Sequence, residues 1–217
     1  MLELPLFPLN TVLFPGTPIQ LHIFEERYKR MIGICLSTRQ PFGVVMIRRG
    51  AEALGPLAEP YDIGCSAQII QVQRLEEGKM NILAVGLERF RILSTETHAQ
   101  PYLVAYVEPY PLTNPDPTSL KTAQERLRAW VRRYIDALSK ANASQVDIEQ
   151  MPNEPQEFIY AAAALLQISP SDKQELLSQE STEDLFQGVI TLYKREVALA
   201  RNIFSPGPAF QGAFSPN

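Results

Sequence analysis

A chain of 217 residues with 45% hydrophobic side chains is long enough for one large domain or two small ones, burying roughly 70% of the surface its unfolded form would expose. The formal net charge is −4, and residues 1–116 and 117–217 each carry 10 Lys and Arg against 12 Asp and Glu. With no basic arm, nonspecific nucleic-acid binding is disfavoured, because it depends on neutralising phosphates with Lys and Arg, and the hydrophobic content excludes a disordered or fibrous chain.

The start, Met1-Leu2-Glu3-Leu4-Pro5, has no positive region ahead of an apolar core, and the longest small or apolar run is Tyr160 to Leu166. Neither a secretory signal nor a membrane span is expected, and the reading is a cytosolic protein. Residues 2–32 then set the organisation. Leu2 to Leu9 and Thr11 to Phe14 are short apolar runs cut by proline, which reads as edge strands or strand starts because proline fixes φ and lacks a donor. Pro15-Gly16 is a turn signal, since proline suits the second turn position and glycine the left-handed third. Ile19 to Phe24 is a third run. After it Phe24, Tyr28, Met31, Ile32 and Cys35 recur at helical spacing, predicting a short amphipathic helix over one end of a sheet.

Further strands follow closely. Phe42 to Ile47 is apolar on both faces, and Arg48-Arg49-Gly50 ends it. Ala51 to Asp62, with Gly55, Pro56 and Pro60, reads as a surface loop. Ile63 to Leu75 and Lys79 to Leu87 pair as a hairpin about Glu77-Gly78, Gly86 breaks the ladder, and Arg89 to Leu93 and Tyr102 to Val107 complete the set. This favours a closed or nearly closed antiparallel barrel. Pro111, Pro115 and Pro117 mark a boundary. Beyond it Asp116 caps a helix whose stripe is Leu120, Leu127, Val131, Tyr134 and Leu138, and Ala141 to Pro152 is a polar connection. A helix from Asn153 or Glu154 buries Phe158, Ile159, Ala162, Leu165 and Leu166. Capping boxes at Ser169 and Ser181 open two more, the last with Leu185, Val189, Leu192, Val197 and Ile203 inward. The tail 205–217 reads as a disordered end, with a docking segment anchored by Phe210 and Phe214 as the alternative.

Several motifs occur together in order. LPLFPLNTVLFPG is followed by IFEERYKRMI, FGVV at Phe42 to Val45, IGCSAQI at Ile63 to Ile69, VGLERFRIL at Val85 to Leu93 with its glycine, Arg-Phe and Arg, PYLVAYVE at Pro101 to Glu108, and SPSDKQELLSQESTEDLFQGVITLYKREV. Up to about Ile203 the chain resembles the N-terminal substrate-binding domain family of the Lon proteases. The resemblance implies an α+β fold, a PUA-like antiparallel β-barrel with a short helix over residues 1–112, then a C-terminal α-helical bundle over 113–204.

Catalytic and metal chemistry find little support. No G-x-x-x-x-G-K-[ST] loop occurs, and the Gly78-Lys79 pair precedes Met80 in a hairpin. The ATPase motor and the serine-lysine peptidase domain of a full-length Lon are therefore not expected, nor is a cofactor. His22, Cys35, Cys65 and His98 lack metal-ligand spacing, and both thiols read as small buried hydrophobes. Glu25-Glu26 and Glu76-Glu77 are expected to be solvated charges, because adjacent helical positions point in different directions.

The resemblance instead implies a free-standing, noncatalytic module that recognises unfolded or damaged polypeptides, or an adaptor in proteolysis and protein quality control. Its implied partners are client chains, a separate ATP-dependent protease or chaperone, and a second copy of itself. Such recognition needs an apolar patch bordered by charge. Phe14, Pro15, Phe24, Tyr28 and Met31, rimmed by Glu25, Glu26 and Arg27, are the candidates. The competing reading is that these aromatics fill the barrel end. An RNA-binding PUA-like module is the alternative function, disfavoured by the acidic charge balance.

Overall fold

The computed structural model describes residues 2–52, 57–97, 99–113, 117–140 and 148–204. His98, Asp116, much of the Ala141 to Pro152 connection, Gly55 and Pro56 in the long loop, and the 205–217 tail lie outside them. Seven strands come first, β1 (Leu2–Leu9), β2 (Pro18–Ile23), β3 (Phe42–Arg49), β4 (Glu59–Pro60), β5 (Ile63–Arg74), β6 (Met80–Glu96) and β7 (Val104–Pro109), with helix α1 (Glu26–Thr38) between β2 and β3. Four helices follow, α2 (Pro117–Lys140), α3 (Pro155–Leu165), α4 (Pro170–Leu177) and α5 (Thr182–Phe204). The α+β expectation of a barrel followed by helices is borne out.

The ring runs β1-β7-β6-β5-β3 and returns to β1, with β2 added along β6 and β4 along β3. Its closing pair is parallel. β1 lies antiparallel to β7 at Leu2 to Pro5 and then parallel to β3 at Leu6 to Leu9. The prolines of β1 therefore do not mark an edge, as their missing donors suggested. Each half of the strand is paired along one side, so a missing N–H can face the unbonded side. At the changeover Leu6 N donates to Leu103 O at 2.8 Å. Register shifts between Cys65 and Ala67, Ile69 and Gln71, and Ile92 and Ser94 bend the long strands, which a closed barrel of so few strands requires.

The Pro15-Gly16 turn forms as its residues dictate. Gly16 takes φ +74° and Thr17 N reaches Phe14 O at 3.2 Å. The turn is clipped to β6 by Gly16 N to Gly86 O (2.9 Å) and Gly86 N to Thr17 O (3.0 Å). Gly86 does not break β6, as its flexibility suggested. The strand continues through it, and the missing side chain makes room for the Phe14 backbone.

Inside the barrel, α1 closes one end with Tyr28, Met31, Ile32 and Cys35, packed among Phe7, Phe42 and Val104. Phe24 is not part of that helical stripe. It precedes the helix, with Glu25 at the N-cap in an extended conformation. On the opposite side of β3, Phe90 packs with Leu4, Leu6 and Val107 over Gly43 and Gly64, where a Cβ would strike its ring. The helices obey their caps. The Glu154 side chain accepts from Gln156 N and Glu157 N, Ser169 Oγ from Asp172 N and Ser181 Oγ from Asp184 N. Leu127, Val131, Phe158, Ile159, Leu185 and Val189 are buried as their spacing predicts, while Leu120, Leu138, Leu165 and Leu192 are partly buried. Phe14 and Ile63 of the barrel belong to the same cluster as these helices, so the two parts share one core.

Candidate functional site

The expected patch separates into two places. Phe14 (1% exposed), Tyr28 (4%) and Met31 (0%) are buried; for Tyr28 and Met31, helical spacing that suits a surface patch equally suits a plug. Phe14 lies beside Tyr160 with ring centroids 6.3 Å apart. Pro15 lines a cleft between barrel and helices. Phe24 remains 42% exposed.

Around Phe24 the surface is built by the β2 to α1 connection. His22 and Phe24 stack at 5.8 Å, and His22 Nδ1 is hydrogen-bonded to Asn81 Oδ1 at 2.7 Å. Beside them Phe7 and Tyr28 are stacked at 4.1 Å and 13°, and Arg27 lies 4.7 Å over the Tyr28 ring. Arg27 also pairs with Glu25 at 3.0 Å, and Lys29 with Glu26 at 2.7 Å. These side chains frame a small cleft of about 290 Å³, lined by Phe7, His22, Phe24, Glu25 and Tyr28 among others. Glu25 is thus held in an ion pair instead of standing free in solvent.

The cleft between barrel and helices is larger, about 700 Å³. Arg89 on β6 lines it and is 3% exposed. Its Nη1 donates to Leu177 O (2.6 Å) and Gln179 O (2.7 Å), the carbonyls at the end of α4, where the helix dipole favours a cation. The guanidinium lies 4.8 Å from the Tyr110 ring, and that of Arg91 lies 4.3 Å from it. Among the described residues, Arg89 Nε and Nη2 are buried without a partner. Burial lowers the Arg89 pKa, and it pushes the Tyr160 hydroxyl up to about 12 against the opposing pull of Arg89. Sequence reasoning did not single out this cleft as a site, although Gly86, Arg89 and Arg91 all stand in VGLERFRIL. Its Arg89–Leu177 contact joins residues 88 apart, a separation no local pattern encodes.

Among the described residues no group of three or more His, Cys, Asp or Glu side chains gathers as a metal site, and no helix is long and apolar enough to cross a membrane. Cys35 and Cys65 are free and buried, and burial pushes their thiols up to about 11 and about 12.

Residues 3–195 match the family model of the ATP-dependent protease La (LON) substrate-binding domain. A Lon protease of Anaeromyxobacter dehalogenans is 24% identical over 195 residues, covering 89% of this chain and 23% of the relative. Lon protease 2 of Myxococcus xanthus is 25% identical over 195 residues, covering 89% and 24%. The chain therefore spans about a quarter of the length of these relatives. A Lon N-terminal domain protein from Xanthomonas campestris has a similar solved structure (TM-score 0.60, 24% identity, 88% of this chain and 98% of that one). So does the N-terminal domain of a Mycobacterium avium complex Lon protease (TM-score 0.65, 14% identity, the same coverage).

Proposed function

Because the chain belongs to the Lon substrate-binding domain family, we propose that it is a noncatalytic module that recognises unfolded or damaged polypeptides. It acts in the cytosol, as a receptor or as an adaptor delivering clients to a separate ATP-dependent protease or chaperone. The observation that carries the reading is the surface at Phe24. An exposed aromatic, stacked on His22, stands beside the Phe7–Tyr28 cleft with Glu25, Glu26 and Arg27 at its border. Exposed apolar segments distinguish an unfolded client from a folded one, and such a patch receives them. Met31 belongs to the core beneath this surface, whereas Phe14 belongs to the core shared with the helices and Pro15 to the neighbouring cleft. Pairing of two copies would raise avidity for a long client.

The test is fluorescence anisotropy with a labelled, permanently unfolded polypeptide, its native form and a structured RNA in parallel. Saturable binding of the unfolded chain alone is expected. Binding of none of the three overturns the autonomous receptor, and binding of the RNA alone would replace it with a nucleic-acid module.

A further inference from the structure

The cleft between barrel and helices combines features that the Phe24 surface lacks. Its volume, about 700 Å³, lies in the range of built ligand sites. Its walls include Pro15, Pro109, Pro111 and Pro152, whose rings offer apolar surface and whose backbone offers no N–H. Glu88, Glu154 and Glu157 also line it and are exposed. Glu154 spends its carboxylate on the cap of α3, whereas Glu88 and Glu157 form no ion pair among the described residues. At the same cleft, Arg89 holds two buried donors, Nε and Nη2, with no acceptor among the described residues.

Those two donors lie on one edge of the guanidinium, the fork that receives an oxygen acceptor. A buried donor left unmade is costly, so an acceptor arriving there is strongly favoured. A free anion would have to pass three carboxylates. A main-chain carbonyl carries no net charge, and a neighbouring cationic side chain would be attracted by the same rim.

We propose that this cleft is a second polypeptide site, taking an extended segment in which an apolar side chain adjoins Lys or Arg. The apolar group lies against the proline walls and Tyr160, the cation faces Glu88 and Glu157, and a main-chain carbonyl between them is received at the Arg89 fork. The inference rests on the polypeptide-recognition reading and locates part of that activity. The chain's own 205–217 segment carries no charged residue, so it lacks the cation that this rim would receive.

The experiment is an array of overlapping peptides from a permanently unfolded protein, followed by anisotropy titration of one labelled Leu-Lys-containing peptide and its Lys→Glu counterpart. Wild-type protein should select the basic-apolar peptides. Ala161→Trp, which fills the cleft from α3, should abolish that selection while leaving the thermal midpoint in place. The exposed Glu88→Lys/Glu157→Lys pair should weaken the basic peptide roughly three- to tenfold and favour its acidic counterpart. If wild-type protein binds unfolded chains but all three changes leave affinity and preference unaltered, the second site falls while the polypeptide reading stands. If wild-type protein binds no unfolded chain, both fall. Tighter peptide binding after removal of residues 205–217 would assign the cleft to the chain's own tail and overturn the proposal.

Discussion

The backbone carbonyl of Phe14 occupies the space that a Cβ on Gly86 would need. Two backbone hydrogen bonds hold this approach in place, and the neighbour that would have to give is main chain, not the end of a flexible side chain. Gly86→Ala should therefore cost about 1–3 kcal/mol, lowering the midpoint by about 2–12 °C for a chain of this size. Thermal unfolding followed by circular dichroism checks it.

Arg89 joins β6 to the end of α4 and is the side-chain donor to two of its carbonyls. Replacement by Met keeps most of the volume but leaves Leu177 O and Gln179 O without it, a loss of about 1–3 kcal/mol. Lys restores charge without the planar fork and should recover only part of the difference. Denaturant midpoints for the two variants provide the comparison.

Phe24 and Tyr28 should separate binding from stability. Phe24→Ala removes a side chain that is 42% exposed, so stability should change by no more than about 1 kcal/mol, while affinity for an unfolded client falls. Tyr28→Ala removes a buried ring stacked on Phe7 and should cost about 3–5 kcal/mol. Parallel anisotropy and unfolding measurements test the contrast, and a Phe24→Ala protein with undiminished affinity would move the binding surface elsewhere.

Alkaline pH should destabilise the fold through its two buried thiols. The Cys65 thiol rises from 9.0 to about 12 and Cys35 from 9.0 to about 11, chiefly through burial. The unfolded thiols ionise above pH 9 and the folded ones do not, so the unfolded state holds fewer protons and gains stability as pH rises. The contribution is intact below pH 9 and is lost toward pH 11 for Cys35 and pH 12 for Cys65, at up to about 1.4 kcal/mol per pH unit for each group. Urea midpoints across this range check the sign, and Cys65→Ala should flatten the decline.

We further propose that the subdomains at 1–112 and 113–204 unfold as one unit, since Phe14 and Ile63 lie in the helical core. A 1–112 fragment would expose both and should aggregate or remain expanded. In the whole chain, near-ultraviolet and far-ultraviolet signals should melt in a single coincident transition.

Where neighbouring residues decide a feature, the sequence made it legible. Pro15-Gly16 specifies its turn, and Ser169 and Ser181 specify caps, through groups within four positions. The barrel was legible from strand spacing, but its parallel closure was not, because β1 changes partner in mid-strand between segments about a hundred and about forty residues away. Tyr28 and Met31 show another limit. Their spacing states that they share a face and is silent on whether that face meets solvent or a barrel. The large cleft was hidden for a third reason, since its lining comes from four separate stretches between Pro15 and Ala161.

The position of β1 in the ring also sets an order of events during synthesis. Residues 2–9 leave the ribosome before their antiparallel partner, Val104–Pro109, which follows about a hundred residues later. At about 5–20 residues per second, β1 waits on the order of ten seconds before the barrel can close. Throughout that interval Leu4 and Leu6, destined for the core, remain available to whatever apolar surface they meet. A module proposed to recognise unfolded chains thus spends those seconds as one.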